Sequence, residues 1–154
     1  MQVIIKLRKK QQLILQNARI QPGEERKRVI MDVKKPFAGI RVVDLSTYIA
    51  APVAGRMLAD WGAEVIKVEP LEGDIWRWYG PTVHVPANDE ENPLFDDTNA
   101  NKQGIALNLR NPKAVEAFKK LLGTADIFLT NNRESSLKKM GLDYDSLKDT
   151  YPSM

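Results

Sequence analysis

Apolar residues recur along the chain in short runs that predict strands and in longer periodic segments that predict helices. β-branched runs bounded by turn residues predict strands at residues 40–45, 64–69, 105–109 and 126–130. Two segments with apolar positions near a 3.6-residue period predict helices, and two shorter helical stretches follow. The predicted helices span residues 52–61, 112–122, 135–140 and 145–148.

The order of these elements indicates parallel strands joined by right-handed crossovers. The predicted fold class is α/β, with a Rossmann-like, doubly wound and mainly parallel sheet. A further strand is expected after Tyr151 and Pro152, so we expect the sheet to be incomplete at the C-terminus. Residues 70–103 show no sustained period and are interpreted as one long loop, of a kind that is often functional or covered by a partner.

Charge divides the 154-residue chain into two parts. The formal net charge is +3, but residues 1–30 contain eight Lys and Arg against two Glu, which leaves −3 for residues 31–154. We therefore expect residues 1–30 to be a basic leader or non-domain extension, and residues 31–154 to form the domain. The less favoured alternatives for the basic segment are nucleic-acid binding and a solvated helix or strand added to the domain.

Composition excludes several classes of site. The absence of Cys removes thiolate nucleophiles and Cys-based zinc sites, and it fits a cytoplasmic location. His84 is the single His, which argues against a His metal site and a Ser-His-Asp triad. No apolar run approaches the ~20 residues of a membrane span. Neither G-x-G-x-x-G nor a P-loop sequence occurs, so a dinucleotide oxidoreductase is poorly supported and a P-loop NTPase is excluded.

The candidate ligand site follows from the predicted topology. In parallel α/β sheets, ligands bind at the carboxyl ends of the strands. The turns concerned are residues 46–52, 70–74 and 131–136. The first turn combines small residues with a helix N-terminus, an arrangement that can bind phosphate through backbone N–H groups. From spacing alone, close helix–sheet packing is the favoured explanation of the small residues.

Longer motifs carry a resemblance to a known family. They are GIRVVDLS at 39–46, LADWGAEVIKVEP at 58–70, NANKQGIALNL at 99–109, ADIFLTN at 125–131 and MGLDY at 140–144. In this order and spacing, over about residues 36–152, they resemble the opening of the class III CoA-transferases, such as formyl-CoA transferase and carnitine CoA-transferase. Segments 49–56 and 99–102 are similar to the branch that handles aryl-lactates or other 2-hydroxy acids, such as cinnamoyl-CoA:phenyllactate CoA-transferase.

The resemblance implies a transferase that moves CoA from an acyl-CoA to a carboxylic acid, with no metal. In this family an Asp attacks the thioester, and an aspartyl-CoA intermediate forms while backbone donors stabilise the oxyanion. The resemblance places that Asp beyond Met154, so no catalytic residue is expected here, and this CoA-binding portion is expected to be inactive alone. It also implies an intertwined homodimer for the full-length family protein.

By resemblance, three segments are expected to contact CoA: residues 47–52, 101–103 and 131–139. Their candidate residues are Thr47, Ile49, Ala50, Pro52, Asn101, Lys102, Gln103, Asn131, Asn132, Arg133 and Lys139. Family members often carry His, Gln and Gly where this chain has Thr47, Ile49 and Ala51, so backbone contacts are expected to dominate in the first segment. Lys102 and Lys139 would supply positive charge near the CoA phosphates, and the alternative for both is a solvated surface cation.

Several other polar and aromatic residues have structural interpretations. Asp44 is interpreted as a cap of the turn after the first strand and not as a nucleophile. Arg77 is a candidate for a phosphate or partner contact. Trp76, Trp78 and Tyr79 are expected to pack in a lid or dimer contact, with an aryl-substrate pocket as the alternative.

Two other functions are compatible with the sequence. The chain is alternatively a non-catalytic α/β module that binds CoA or a nucleotide, or an interaction protein whose basic residues 1–30 bind RNA, DNA or an acidic partner. CoA binding by residues 31–154 alone would favour the first of these. Salt-dependent nucleic-acid binding would favour the second.

Overall fold

Four parallel strands form the centre of the fold. The computed structural model describes residues 35–88 and 90–152, so the expectation for residues 1–30 lies outside the described residues. The strands are β1 (Arg41–Leu45), β2 (Glu64–Glu69), β3 (Gln103–Ala106) and β4 (Ile127–Thr130). They lie in the order β3-β2-β1-β4, and every neighbouring pair is parallel. The predicted α/β class with a parallel sheet is confirmed.

Five α-helices lie between and after the strands. They are α1 (Ala50–Asp60), α2 (Pro93–Asn99), α3 (Pro112–Leu122), α4 (Glu134–Met140) and α5 (Tyr144–Leu147). Helix α1 connects β1 to β2, and α3 connects β3 to β4. Asn111 caps α3, since its side chain accepts a hydrogen bond from the backbone N–H of Lys113 at 3.0 Å. The four helices predicted from the sequence are therefore present, within two residues of their predicted starts.

Apolar side chains cover both faces of the sheet. Successive residues of a strand point to opposite faces. Val42 packs with Ala59 of α1, whereas Val43 packs with Phe118 of α3. Both valines are fully buried. A parallel sheet needs this double cover, and it explains why β1 has two adjacent buried valines in place of an alternating pattern.

Strand β3 is shorter and earlier than predicted. The sequence predicts a strand to residue 109, but β3 ends at Ala106. The reason is a turn at Asn108, whose side-chain oxygen accepts a hydrogen bond from the N–H of Arg110 at 3.1 Å. Side-chain acceptors of this kind compete with strand pairing. The chain after Ala106 therefore leaves the sheet and becomes part of its carboxyl edge.

The interpretation of residues 70–103 as one long loop is wrong. The segment contains two 3₁₀ helices, Ile75–Trp78 and Gly80–Val83, and the helix α2. Asn92 caps α2 by accepting from the N–H of Phe95 at 3.3 Å, and Pro93 occupies its first turn. A seven-residue helix is too short to show an apolar period, so only this start signal was visible in the sequence.

Candidate functional site

The turn between β1 and α1 is held in one conformation by side chains from two other turns. Asn131, after β4, accepts from the N–H of Thr47 at 3.0 Å and donates to its carbonyl at 2.8 Å. Asp74, after β2, accepts from the Thr47 hydroxyl at 2.9 Å and from the N–H of Tyr48 at 3.1 Å. Tyr48 has φ +73°, a left-handed conformation that non-glycine residues seldom adopt. The carboxyl ends of β1, β2 and β4 are therefore joined through this turn.

Two buried ion pairs lie beneath the turn, on the face of the sheet that α1 covers. Lys67 and Asp74 pair at 2.8 Å, with both side chains 2% exposed. Lys102 and Asp44 also pair at 2.8 Å, with side chains 2% and 0% exposed. The Lys102 ammonium donates in addition to the carbonyl of Pro52 at 2.7 Å and to the Asn99 amide oxygen at 2.8 Å. All three of its donors are thus used inside the protein.

Burial and hydrogen bonding shift the pKa values of this group of residues in opposite directions. Burial alone would raise the pKa of Asp74, but hydrogen bonds from Lys67 and from the N–H groups of Trp76 and Tyr48 hold that pKa below its usual value. Burial would also raise the pKa of Glu69, but the hydrogen bond from Arg77 helps to hold that pKa below its usual value. Both side chains are therefore carboxylates at neutral pH and act as hydrogen-bond acceptors.

Desolvation dominates at the second buried lysine. Burial lowers the pKa of Lys102, and the hydrogen bond and charge of Asp44 offset this only in part. Removing the Asp44 charge would leave this ammonium buried without an opposite charge. The Asp44–Lys102 pair is therefore a structural element whose two members depend on each other.

A cleft of about 530 Å³ opens at the carboxyl ends of the strands, on the side of the sheet that α3 and α4 cover. Its lining comes from the ends of β1 and β2, from residues 70–72 and 107–110, and from Asn132, Ser136 and Met140, and it includes Glu69 and Glu72. The lining includes the apolar residues 107 and 109 beside polar ones, and Arg110, which is exposed, is also part of it. Such a cleft can bind a ligand that is both apolar and anionic.

The predicted CoA-contacting residues of the first and third segments lie at this carboxyl edge. Thr47 and Asn132 line the cleft. Lys139 follows Ser136 by three residues on α4, so the two lie on neighbouring positions of one helix face. The other predicted residues of these two segments are exposed, at the start of α1 or around the start of α4. They are Ile49, Ala50, Asn131 and Arg133.

The other predicted residues lie away from the cleft. Asn101 donates to Asp60, the last residue of α1, at 2.6 Å, and Gln103 begins β3. Both positions belong to the amino edge of the sheet, because a parallel strand starts opposite its carboxyl edge. Pro52 is buried. The interpretation of Lys102 as a solvated surface cation is wrong, since its side chain is buried against Asp44.

The sequence analysis missed the segment after β3. Residues 107–109 were assigned to a strand and Arg110 was not singled out, yet residues 107–110 form one wall of the cleft. The available signal was turn chemistry, because Asn108 and Asn111-Pro112 are residues typical of turns and helix starts.

Contacts in the structure bear on two other sequence interpretations. Asp44 caps its turn as predicted, accepting from the N–H of Ser46 at 3.0 Å. Arg77 pairs with Glu69 at 2.7 Å and lies over the Phe95 ring, 3.4 Å from its centroid, so its guanidinium has partners within the domain.

The aromatic residues after β2 pack on the β1–α1 turn. The Tyr48 ring centroid lies 4.8 Å from that of Trp76, and Trp76 stacks on Tyr79 at 4.9 Å. Trp78, by contrast, is 62% exposed. Packing around the turn thus accounts for two of the three aromatic residues singled out in the sequence.

Within residues 35–88 and 90–152, no cluster of three or more His, Cys, Asp or Glu has the arrangement of a metal site. In the same residues no helix is long and apolar enough to cross a membrane.

Comparisons with known proteins identify the family. A model described as CoA-transferase family III matches residues 37–154. Over 116 residues the chain is 53% identical to (R)-2-hydroxy-4-methylpentanoate CoA-transferase of Clostridioides difficile, and over 118 residues it is 48% identical to cinnamoyl-CoA:phenyllactate CoA-transferase of Clostridium sporogenes. These matches cover 75% and 77% of this chain but only 29% of each relative.

A solved structure is similar to the chain in both sequence and fold. The crystal structure of a CAIB/BAIF family protein from Brucella suis has a TM-score of 0.68 and 36% identity, covering 75% of this chain and 31% of that one. The resemblance seen in the sequence motifs is confirmed. Since the family match includes all four strands, the turn after β1 and the carboxyl-edge cleft, the chain belongs to CoA-transferase family III.

Proposed function

We propose that this chain is the CoA-binding portion of a CoA-transferase that moves CoA between an acyl-CoA and a 2-hydroxy acid. The observation that carries the proposal is the carboxyl-edge cleft, which lies within the part of the chain that the family model matches. Ligand binding at this edge is the general rule for open parallel sheets. The chain spans about 29% of the length of its 2-hydroxy-4-methylpentanoate and phenyllactate relatives, so the activity is proposed for the assembled enzyme.

The residues of the cleft suit the chemistry of CoA. CoA combines phosphate groups with an adenine ring and a long, partly apolar arm. Residues 107 and 109 and Met140 offer apolar contacts, while Arg110 offers a guanidinium that can bind a phosphate through two parallel hydrogen bonds. Lys139, on the same face of α4 as Ser136, supplies a second positive charge near the cleft. These features support an arrangement with the phosphates near Arg110 and Lys139.

The names of the two bacterial relatives support a substrate class. Both act on 2-hydroxy acids, one with an aliphatic and one with an aromatic side chain. We infer that the acceptor of the assembled enzyme is a 2-hydroxy acid with an apolar side chain. The donor is the CoA thioester of a different acid; the attacking Asp forms a mixed anhydride with its acyl group, and the released CoA thiolate converts this to aspartyl-CoA while the donor leaves as its free carboxylate.

The attacking carboxylate is proposed to lie outside the described residues. Asp44 and Asp74 are the buried carboxylates nearest the β1–α1 turn, and each is engaged with a lysine ammonium. Neither is exposed to an acyl-CoA. We therefore expect the described residues to bind CoA without transferring it.

Calorimetric titration of CoA into the 154-residue chain tests the binding function. We expect saturable binding that Arg110→Ala weakens by about tenfold, as on the order of 1.5 kcal/mol is typical for one charge-assisted hydrogen bond. Lys139→Ala is expected to weaken binding less, because an ammonium lacks the planar fork of a guanidinium. The matched control is Lys120→Ala, an exposed lysine near the far end of α3, which should leave the affinity unchanged.

The same titration separates the remaining alternatives. Equal affinity for CoA and ATP would favour a general nucleotide-binding module over a CoA-transferase portion. No CoA binding by a chain shown to be folded would overturn the proposed function. Mixing the chain with cinnamoyl-CoA and 2-hydroxy-4-methylpentanoate, followed by chromatography of the CoA esters, tests the expectation that transfer is absent.

A further inference from the structure

We propose that Asp74 is a positioning residue for CoA, because it holds the β1–α1 turn in the conformation that faces the cleft. This inference rests on the proposed function, since it assigns a residue to the same site. Asp74 does not itself line the cleft, whereas Ser46 and Thr47 of the turn do. Its influence on a ligand therefore passes through the turn.

The hydrogen bonds of Asp74 divide between two tasks. One oxygen accepts from the Thr47 hydroxyl and from the N–H groups of Tyr48 and Trp76, at 2.9, 3.1 and 3.0 Å. The other oxygen accepts from Lys67 at 2.8 Å. The first oxygen thus fixes the turn, and the second anchors the carboxylate to β2.

The turn needs such an anchor because of its backbone. Tyr48 has φ +73°, and for a residue with a β-carbon this left-handed region is disfavoured. The Tyr48 N–H reaches Asp74 in this conformation. If Asp74 did not accept this hydrogen bond, a negative φ at Tyr48 would be lower in energy. The change in φ would reorient the neighbouring peptide groups of Ser46 and Thr47 at the cleft.

The anchor is itself supported from β2. The N–H of Asp74 donates to Glu69 at 2.8 Å, and Glu69 accepts two hydrogen bonds from Arg77, at 2.7 and 2.8 Å. The guanidinium of Arg77 lies over the Phe95 ring of α2. A continuous set of contacts therefore runs from α2 through Asp74 to the turn, which gives the segment after β2 a role in forming the site.

A double-mutant cycle on the full 154-residue chain tests this positioning role. CoA affinity is measured by calorimetry for the wild type, Asp74→Asn, Tyr48→Asn and the double variant. Asn adopts the left-handed region more readily than Tyr, so Tyr48→Asn removes the need for the anchor while keeping a β-carbon. An Asn side chain has one acceptor oxygen, which the buried Lys67 ammonium attracts, so its NH2 group then faces the donors of the turn. We therefore expect Asp74→Asn to weaken CoA binding about tenfold in the wild-type background, and less than twofold in the Tyr48→Asn background.

Equal losses in the two backgrounds would overturn the inference, because Asp74 would then act through general stability. The matched control is Asp143→Asn, a buried carboxylate before α5 that lies outside the cleft and should leave CoA affinity unchanged. If Asp74→Asn does not fold, Thr47→Val replaces it. That variant removes one donor to Asp74 and preserves the Lys67 pair, and its smaller loss should also disappear with Tyr48→Asn.

A measurement without ligand separates this inference from the proposed function. The NMR coupling between the amide and α protons of Tyr48 reports its φ angle directly. We expect Asp74→Asn to change this coupling while the Asp143→Asn control leaves it unchanged. Failure of the folded wild type to bind CoA would overturn the proposed function, whereas an unchanged Tyr48 coupling in Asp74→Asn would overturn the positioning role.

Discussion

Single charged residues beneath the β1–α1 turn contribute strongly to the free energy of unfolding, because they are buried and paired. Lys102 and Asp44 are paired at 2.8 Å with almost no exposure. Replacing Lys102 by Met should keep most of the volume but leave Asp44 buried and unpaired, at a cost of about 3–5 kcal/mol in the free energy of unfolding. Urea denaturation of the chain measures this loss.

A matched lysine shows whether the loss comes from burial. Lys148 pairs with Asp145 at 2.7 Å, but its side chain is 44% exposed. We expect Lys148→Met to unfold at the same urea concentration as the wild type, because exposed pairs contribute little. A large loss in both variants would show that pairing alone, and not burial, determines the effect.

The lowered pKa of Asp74 predicts a pH dependence of stability. A carboxyl whose folded pKa lies below its usual value near 3.8 stabilises the protein above that pH, and this contribution is lost as pH falls through the folded pKa. The wild type should therefore lose stability from about pH 5 downward. Asp74→Asn should be less stable at pH 7 and approach the wild type near pH 2, when unfolding is measured at intervals of pH. Parallel curves for the two proteins would contradict the assignment.

At the scale of elements, the approach of α1 to β1 depends on a glycine. A β-carbon at Gly55 would lie 2.8 Å from the Asp44 carboxylate and 3.2 Å from the Lys102 ammonium. Gly55→Ala raises helix propensity by about 1 kcal/mol, but overpacking against a buried ion pair costs about 1–3 kcal/mol. We expect a net loss of stability in thermal unfolding.

A second glycine provides the control for this prediction. Gly104 in β3 has no atom within 4 Å of the position of an added β-carbon. Gly104→Ala should therefore be neutral or slightly stabilising, since Ala also restricts the unfolded chain. If the Gly55 variant were as stable as the Gly104 variant, α1 would have to pack less closely on the sheet than the structure indicates.

The elements differ in how far the sequence predicts them. Strands β1, β2 and β4 are short runs rich in β-branched and other apolar residues, so local pattern and final structure agree to within one residue. Helix α2 and the true end of β3 depend on side-chain hydrogen bonds of Asn92 and Asn108, which leave no periodic signal. Local pattern therefore predicts the sheet better than the segments that border the cleft.

The ion pairs show a different limit of sequence reasoning. In the sequence of β2, Lys67 lies between Ile66 and Val68, as a solvent-facing residue of a half-buried strand would. Its side chain is nevertheless only 2% exposed. It is buried because β2 is covered on both faces and because Asp74, seven residues later, folds back onto it. Pairing between turns is a property of the tertiary structure, so these residues were not identified as partners from their positions in the sequence.

For the whole molecule, the site is the meeting point of segments that are distant in sequence. Asn131 and Thr47 are 84 residues apart and share two hydrogen bonds, and Lys102 reaches Asp44 across 58 residues. The family resemblance marked the turns after β1 and β4, and Thr47 and Asn132 of these turns line the cleft. It also marked Asn101 and Gln103, which lie at the opposite edge of the sheet, and Lys102, whose side chain reaches Asp44 beneath the turn. Topology therefore decides which residues of a family motif can meet at the site.

The distribution of charge predicts that the basic segment and the domain are separable in function. Residues 1–30 have a net charge of +6, whereas residues 31–154 have −3. Both apolar clusters and all four described strands are formed by residues within 37–151. Removing residues 1–30 should therefore leave thermal unfolding and CoA affinity unchanged. Removing residues 1–30 should also abolish retention on heparin at 0.1 M salt. At that ionic strength the screening length is ~10 Å, so a segment with many closely spaced positive charges still binds a polyanion. Loss of CoA affinity in the shortened chain would show that the basic segment belongs to the site, and retention on heparin without it would place the polyanion-binding surface on the domain.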